Sequence, residues 1–189
     1  MTASNMMKEY PRIFLQTGDC FLAVQPTLVT TVLGSCVAIT MTSRERGVGA
    51  ICHAFLPDSK ESKKDQRDPQ PCRFVNTAIE NMLQGMTKLG VSIPDLQVKL
   101  FGGASGIAAQ RVEGSTYNVG RRNVEAARRI LGNWGLSIST EDVAGSQGRK
   151  LHFLSNTGEI WMKRLTGQAM RGLVSNSNGS EISKARKLA

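Results

Sequence analysis

Apolar and polar positions alternate in two rhythms along the chain, and each change of rhythm marks an element. Residues 12–16 and 20–24 are short β-type runs around the turn-like Thr17-Gly18-Asp19, with Pro26 closing the second. Residues 27–33, rich in Thr and Val, predict a third strand. Two apolar runs, 36–42 and 48–56, flank the polar, Gly-ended stretch Ser43-Arg44-Glu45-Arg46-Gly47, which reads as a β-hairpin. The period then lengthens. Val75, Ile79, Met82 and Met86, with Ala78 and Leu83 beside them, form a helical stripe within 73–88, ended by Gly90. Residues 96–101 predict a strand running into Gly102-Gly103-Ala104-Ser105-Gly106. A second helix is predicted over 118–131, with Asn118 as its cap, Gly132 as its stop and Val124, Ala127 and Leu131 as its apolar stripe. Strands at 136–143, 151–154 and 160–165 complete the pattern, the last entered through Asn156-Thr157-Gly158. This order predicts an α/β protein, a layered sandwich with a mixed, largely antiparallel sheet and two main helices.

Composition places that pattern in one domain. The chain has 189 residues, 40% of them hydrophobic and 21% charged, values ordinary for a globular domain. We expect the domain to span 1–166. From Gly167 the chain turns to Gly, Ser, Asn and Lys, which predicts a basic, disordered tail over 167–189. Residues 1–10 read as a loose arm, and 57–71 as a polar loop, either solvated or a flap over the preceding strands. No apolar run approaches the roughly 18–20 residues of a membrane span. No signal pattern precedes Arg12. The expectation is a cytoplasmic protein without membrane insertion.

The net charge of +9 favours an acidic partner. Aromatic residues are few, and no basic–aromatic platform of the kind that binds single strands is present, so a nucleic-acid partner is not expected. Arg121, Arg122, Arg128 and Arg129 lie largely off the apolar stripe of the second helix. They form either a solvated face or a docking surface for an acidic helix. The glycine-rich 102–106 matches neither a phosphate loop nor a dinucleotide fingerprint and reads as a tight turn. The four cysteines, Cys20, Cys36, Cys52 and Cys72, contain no C-x-x-C pair, and His53 and His152 are the only histidines. Neither a metal nor a cofactor is expected. In a reducing compartment the cysteines are expected to be free thiols, with Cys20, Cys52 and Cys72 acting as small buried hydrophobes. His152 alternates with apolar neighbours and reads as structural.

The candidate chemistry lies on the hairpin. A turn centred between Arg44 and Glu45 sets Cys36 directly across from His53, at the roughly 4.5–5.5 Å Cβ separation of opposed residues. The two then share a face with Ala38, Thr40, Gly49 and Ile51, while Val37, Ile39 and Met41 line the other. A thiol beside an imidazole is a nucleophile with its base. Gly34-Ser35 can aim N–H groups at an oxyanion. Thr30, on the preceding strand, can supply a hydroxyl or a carbonyl that orients the ring.

T-x-x-L-G-S-C-V-A-I at 30–39, G-A-I-C-H-A-F-L-P at 49–57, F-G-G-A-S at 101–105 and N-V-G-R-R-N-V-E-A-A at 118–127 together resemble the CheD family of chemoreceptor glutamine deamidases, over about 12–165. The resemblance implies Cys36, His53 and Thr30 as catalytic residues. It implies a fold similar to the deamidase domain of cytotoxic necrotizing factor toxins. It also implies hydrolysis of receptor glutamine side chains through a Cys thioester, with receptor methylesterase activity or a purely adaptor role as alternatives. The implied partners are the cytoplasmic domains of methyl-accepting chemoreceptors and a CheC-type phosphatase of CheY. Gly106-Ile107-Ala108-Ala109 departs from the bulkier pair expected after G-G-A-S.

Overall fold

The computed structural model describes residues 9–61, 70, 72–105 and 118–165. Most of the N-terminal arm, most of the 57–71 loop, the Gly106–Ala109 departure and the 167–189 tail lie outside the described residues. In chain order the elements are β1 (Arg12–Phe14), β2 (Cys20–Ala23), β3 (Leu28–Leu33), β4 (Val37–Ser43), β5 (Val48–Ala54), α1 (Val75–Lys88), β6 (Gln97–Gly102), α2 (Val119–Asn133), β7 (Ile138–Val143), β8 (Gly148–Leu154) and β9 (Glu159–Leu165). All of them fall where the polar–apolar pattern predicts. Asn118 caps α2, its side chain accepting from the Arg121 N–H at 3.0 Å. The helix passes its expected stop at Gly132 and ends at Asn133.

The fold is α/β with mixed sheets and two helices, as expected, but the strands form two sheets. One has the order β1-β3-β8-β9 and the other β2-β5-β4-β6-β7. The β1–β3 and β6–β7 pairs are parallel and the rest antiparallel. The helices cover one face of the five-stranded sheet, where Ile39, Met41, Ala50 and Leu100 pack on Ile79, Met82 and Leu131. Its other face packs on the four-stranded sheet through Ala38, Ile51 and Phe101 against Val29, Leu33, Leu151 and Phe153. The middle strands β4 and β5 are therefore buried at every position, though their sequence alternates only weakly. An ion-pair bridge ties the sheets along one side: Asp142 of β7 accepts from Arg149 of β8 at 2.7 Å and from Arg164 of β9 at 2.6 Å. Burial works to raise the Asp142 carboxyl, but these two arginines win and hold it below the usual carboxylate range.

Two expectations are corrected. The hairpin pairs Ser43 with Val48 and Ala38 with His53, so the turn is centred one residue later than expected. Gly47, at φ +62°, takes the left-handed position that completes the turn, and its N–H donates to the Arg44 carbonyl at 3.2 Å. His53 therefore lies opposite Ala38, and Cys36 stands one residue before β4. The partner shifts by two, so both side chains keep their shared face. Second, Cys20 and Cys72 form a disulfide with a Cα–Cα distance of 5.7 Å. Sequence spacing is blind to this, because packing of α1 on β2 is what brings positions 52 residues apart within bonding range. Cys36 and Cys52 remain free thiols. Among the described residues no helix is long and apolar enough to cross a membrane, and no cluster of His, Cys, Asp or Glu could hold a metal ion.

Candidate active site

Cys36 closes the short turn from β3 into β4, and three carbonyls of that turn are tied back to the scaffold. The Gly34 carbonyl accepts from the Ala104 N–H at 2.9 Å, and the Cys36 carbonyl accepts from the Gly103 N–H at 2.8 Å. The Ser35 carbonyl accepts from Asn123 Nδ2 of α2 at 3.1 Å, and the same nitrogen donates to the Phe55 carbonyl at 3.1 Å. The G-G-A-S turn is thus a brace for the backbone around Cys36. Its glycines are required by contact as well as conformation. Gly102 and Gly103 have φ of +109° and +66°. A Cβ on Gly102 would strike the Cys36 carbonyl, and one on Gly103 would strike Val124 of α2.

His53 is buried at 3% exposure, held at both ends of its peptide by the Thr17–Asp19 turn. Its N–H donates to the Asp19 carbonyl at 2.9 Å, and its carbonyl accepts from the Gly18 N–H at 2.8 Å. The ring Nδ1 lies 2.8 Å from Thr31 Oγ1, and the Thr31 hydroxyl donates onward to the Leu15 carbonyl at 2.9 Å. With its proton committed to Leu15, Thr31 accepts from Nδ1–H. This places the imidazole proton on Nδ1 and leaves Nε2 as the unprotonated, accepting nitrogen. Thr17 Oγ1 stands 3.4 Å from Nε2.

Thr30 does not meet the ring through its side chain. Its hydroxyl lies 2.8 Å from His152 Nδ1, its cross-strand partner on the outer face of the four-stranded sheet. The reason is strand alternation: Thr31 shares the inward parity of Val29 and Leu33, and Thr30 points the other way. Thr30 does contribute its carbonyl, which accepts the Leu15 N–H at 2.8 Å and so fixes the residue that anchors Thr31.

Burial sets the electrostatics. Desolvation pushes the Cys36 thiol up to about 11, opposed by its own main-chain N–H. Desolvation pulls His53 down to about 4, opposed by the Leu15 carbonyl. At neutral pH the resting pair is a neutral thiol and a neutral imidazole, with no preformed ion pair. Among the described side-chain hydrogen bonds none joins Cys36 to His53. Such an arrangement suits general-base activation at the moment of attack, when catalytic hydrogen bonds tighten. Cys52, fully buried and raised to about 12 chiefly by desolvation, is inert.

The model of the family described as CheD chemotactic sensory transduction matches residues 55–164. A protein of Maridesulfovibrio salexigens named "Probable chemoreceptor glutamine deamidase CheD" is 50% identical over 157 residues, covering 82% of this chain and 92% of the relative. The chain belongs to the CheD family. A second CheD relative, from Geobacter sulfurreducens, is 43% identical over 155 residues, covering 82% of this chain and 91% of its own. A third, from the archaeon Methanococcus maripaludis, is 34% identical over 157 residues, covering 83% and 96%.

Within the CheD motifs, sequence patterns do not single out Thr31 or Asn123. Alternation along β3 is the signal for Thr31. For Asn123 the signal is a polar residue in the stripe that Gly120, Val124, Ala127 and Leu131 bury. Three of the arginines of α2 are engaged within the molecule: Arg121 with Glu125, Arg128 with Glu141 and Arg129 with Asp58, at 2.7, 2.6 and 3.4 Å.

Proposed function

We propose that this chain hydrolyses the side-chain amide of specific glutamines on chemoreceptors, giving glutamate and ammonia through a thioester at Cys36. The observation that carries the reading is the placement, on one face of the five-stranded sheet, of a free thiol whose turn is braced at three carbonyls and a histidine held by its Nδ1 side. His53 Nε2 takes the thiol proton as the Cys36 sulfur attacks the carboxamide carbon. The oxygen of the tetrahedral intermediate lies against the Cys36 N–H, a donor fixed in advance. Collapse breaks the C–N bond, and the imidazolium gives its proton to the departing ammonia. His53 then deprotonates a water that hydrolyses the thioester, releasing the glutamate side chain and restoring the thiol. Every proton is accounted for by the one ring. The same thioester route accommodates receptor glutamyl methyl esters.

The reading places the chain in the cytoplasm, where receptor signalling domains are exposed, with a CheC-type phosphatase as a second partner implied by family membership. The test is intact-mass measurement of a receptor cytoplasmic fragment incubated with the protein and with Cys36→Ala. A rise of about 1 Da per converted glutamine, absent with the variant, is expected. No shift with either protein, combined with tight binding to a CheC-type phosphatase, would favour an adaptor role.

A further inference from the structure

Asn123 is fully buried on α2, and its two Nδ2 hydrogens are both spent on main-chain carbonyls, those of Ser35 and Phe55. Two carbonyl acceptors fix which end of the amide is nitrogen. Its Oδ1 is buried, with no hydrogen-bond partner among the described residues. Leu or Met here would complete the apolar stripe of α2. The chain instead places an amide where it spans the turn that carries Cys36 and the segment that follows His53.

The Ser35 carbonyl and the Cys36 N–H belong to one peptide unit. That unit is planar and trans, so the two groups point in opposite directions. Holding the carbonyl from the α2 side therefore aims the N–H away from α2. That N–H belongs to the residue whose sulfur attacks, and it is the nearest main-chain donor along the chain to the carbon under attack. The preceding peptide is held in the same way, its Gly34 carbonyl bound by the Ala104 N–H, which fixes the Ser35 N–H.

We propose that Asn123 is a positioning residue for the deamidation: it locks the Ser35–Cys36 peptide plane from behind and so preorganises the Cys36 N–H as an oxyanion donor. The proposal rests on the glutaminase reading above. Asn123→Asp keeps the shape but replaces the two donors with a carboxylate facing two carbonyls. Loss of one oxyanion donor typically lowers kcat by roughly 100–1,000-fold. A misaimed donor in the Asp variant is expected to lower kcat by roughly 10–100-fold with KM unchanged. Alkylation of Cys36 by iodoacetamide needs no oxyanion donor and should fall far less than kcat. Equal kcat in wild type and variant, or alkylation lost in parallel with turnover, overturns the proposal.

A second measurement needs no variant. A glutamine-aldehyde peptide forms a hemithioacetal with Cys36, placing an oxygen where the oxyanion would sit. In labelled wild-type protein the Cys36 amide proton should move downfield on adduct formation. The Asn123 side-chain amide should follow, because polarising one end of the peptide strengthens the bond at the other. An Asn123 resonance that stays in place, or a thiol that forms no adduct, overturns the proposal. Wild-type protein that forms the adduct but converts no receptor glutamine overturns the glutaminase reading instead, so the two failures are told apart.

Discussion

Replacing Thr31 with valine removes one hydroxyl and almost no volume, at a position with no solvent exposure. The loss is confined to two hydrogen bonds, 2.8 Å to His53 Nδ1 and 2.9 Å to the Leu15 carbonyl. Leaving a buried donor and a buried acceptor without this bridge costs about 1–3 kcal/mol, partly recovered if Nδ1–H turns to Leu15 directly. For a domain of this size about 2 kcal/mol lowers Tm by roughly 4–8 °C. The catalytic cost is separate. Without Thr31 nothing else on β3 holds the ring, so Nε2 is misaimed and kcat is expected to fall roughly 10–100-fold with KM little changed, a smaller relative of the loss seen when a triad's orienting group is altered. Thr30→Val is the control. It removes only the bond to His152 on the far face and keeps the Thr30 carbonyl on Leu15, so kcat should stay within about threefold of wild type. The assay is receptor-fragment mass change against time for both variants, beside thermal melts. A Thr30→Val enzyme that is inactive while Thr31→Val works normally would refute this account of His53.

The His53 ring, at about 4 in the fold against an ordinary 6.5, binds its proton more readily when unfolded. Its contribution to stability is therefore present above about 6.5 and lost as pH falls towards 4, amounting to about 2 kcal/mol by pH 5. Urea melts across that range should show the loss in wild type and not in His53→Gln. The same depressed value predicts an acid limb of kcat/KM near 4 rather than near 6.5. Cys36, raised to about 11, should alkylate slowly at neutral pH, with a rate that climbs with each pH unit up to that region; a plateau below pH 8 would mean a thiolate already formed in the resting protein. Cys72→Ser opens a disulfide with a sequence separation of 52 and should lower stability by about 2–4 kcal/mol while leaving Cys36 reactivity unchanged. Titration of the unfolded, unreduced protein should count two thiols, Cys36 and Cys52.

The polar–apolar pattern by itself determined nine strands and two helices in their order, because period and punctuation are local properties of the chain. It also determined that Cys36 and His53 share a face, since that depends only on parity, and parity survived a shift of the hairpin turn. Its motifs determined the family. What the sequence left undecided were the relations between distant segments. The choice of two sheets over one depends on β3 pairing with β8, more than a hundred residues away, while β4 pairs with β5 and β6. The Cys20–Cys72 bond depends on α1 settling on β2. The orientation of His53 depends on whether Thr30 or Thr31 faces inward, and that was decided only when the four-stranded sheet closed over the five-stranded one. Asn123 is the clearest case. Its amide reaches Ser35 and Phe55 across 88 and 68 residues of chain, and only the packing of α2 beside the start of β4 and the end of β5 turns a polar residue in an apolar stripe into a clamp on the backbone next to Cys36.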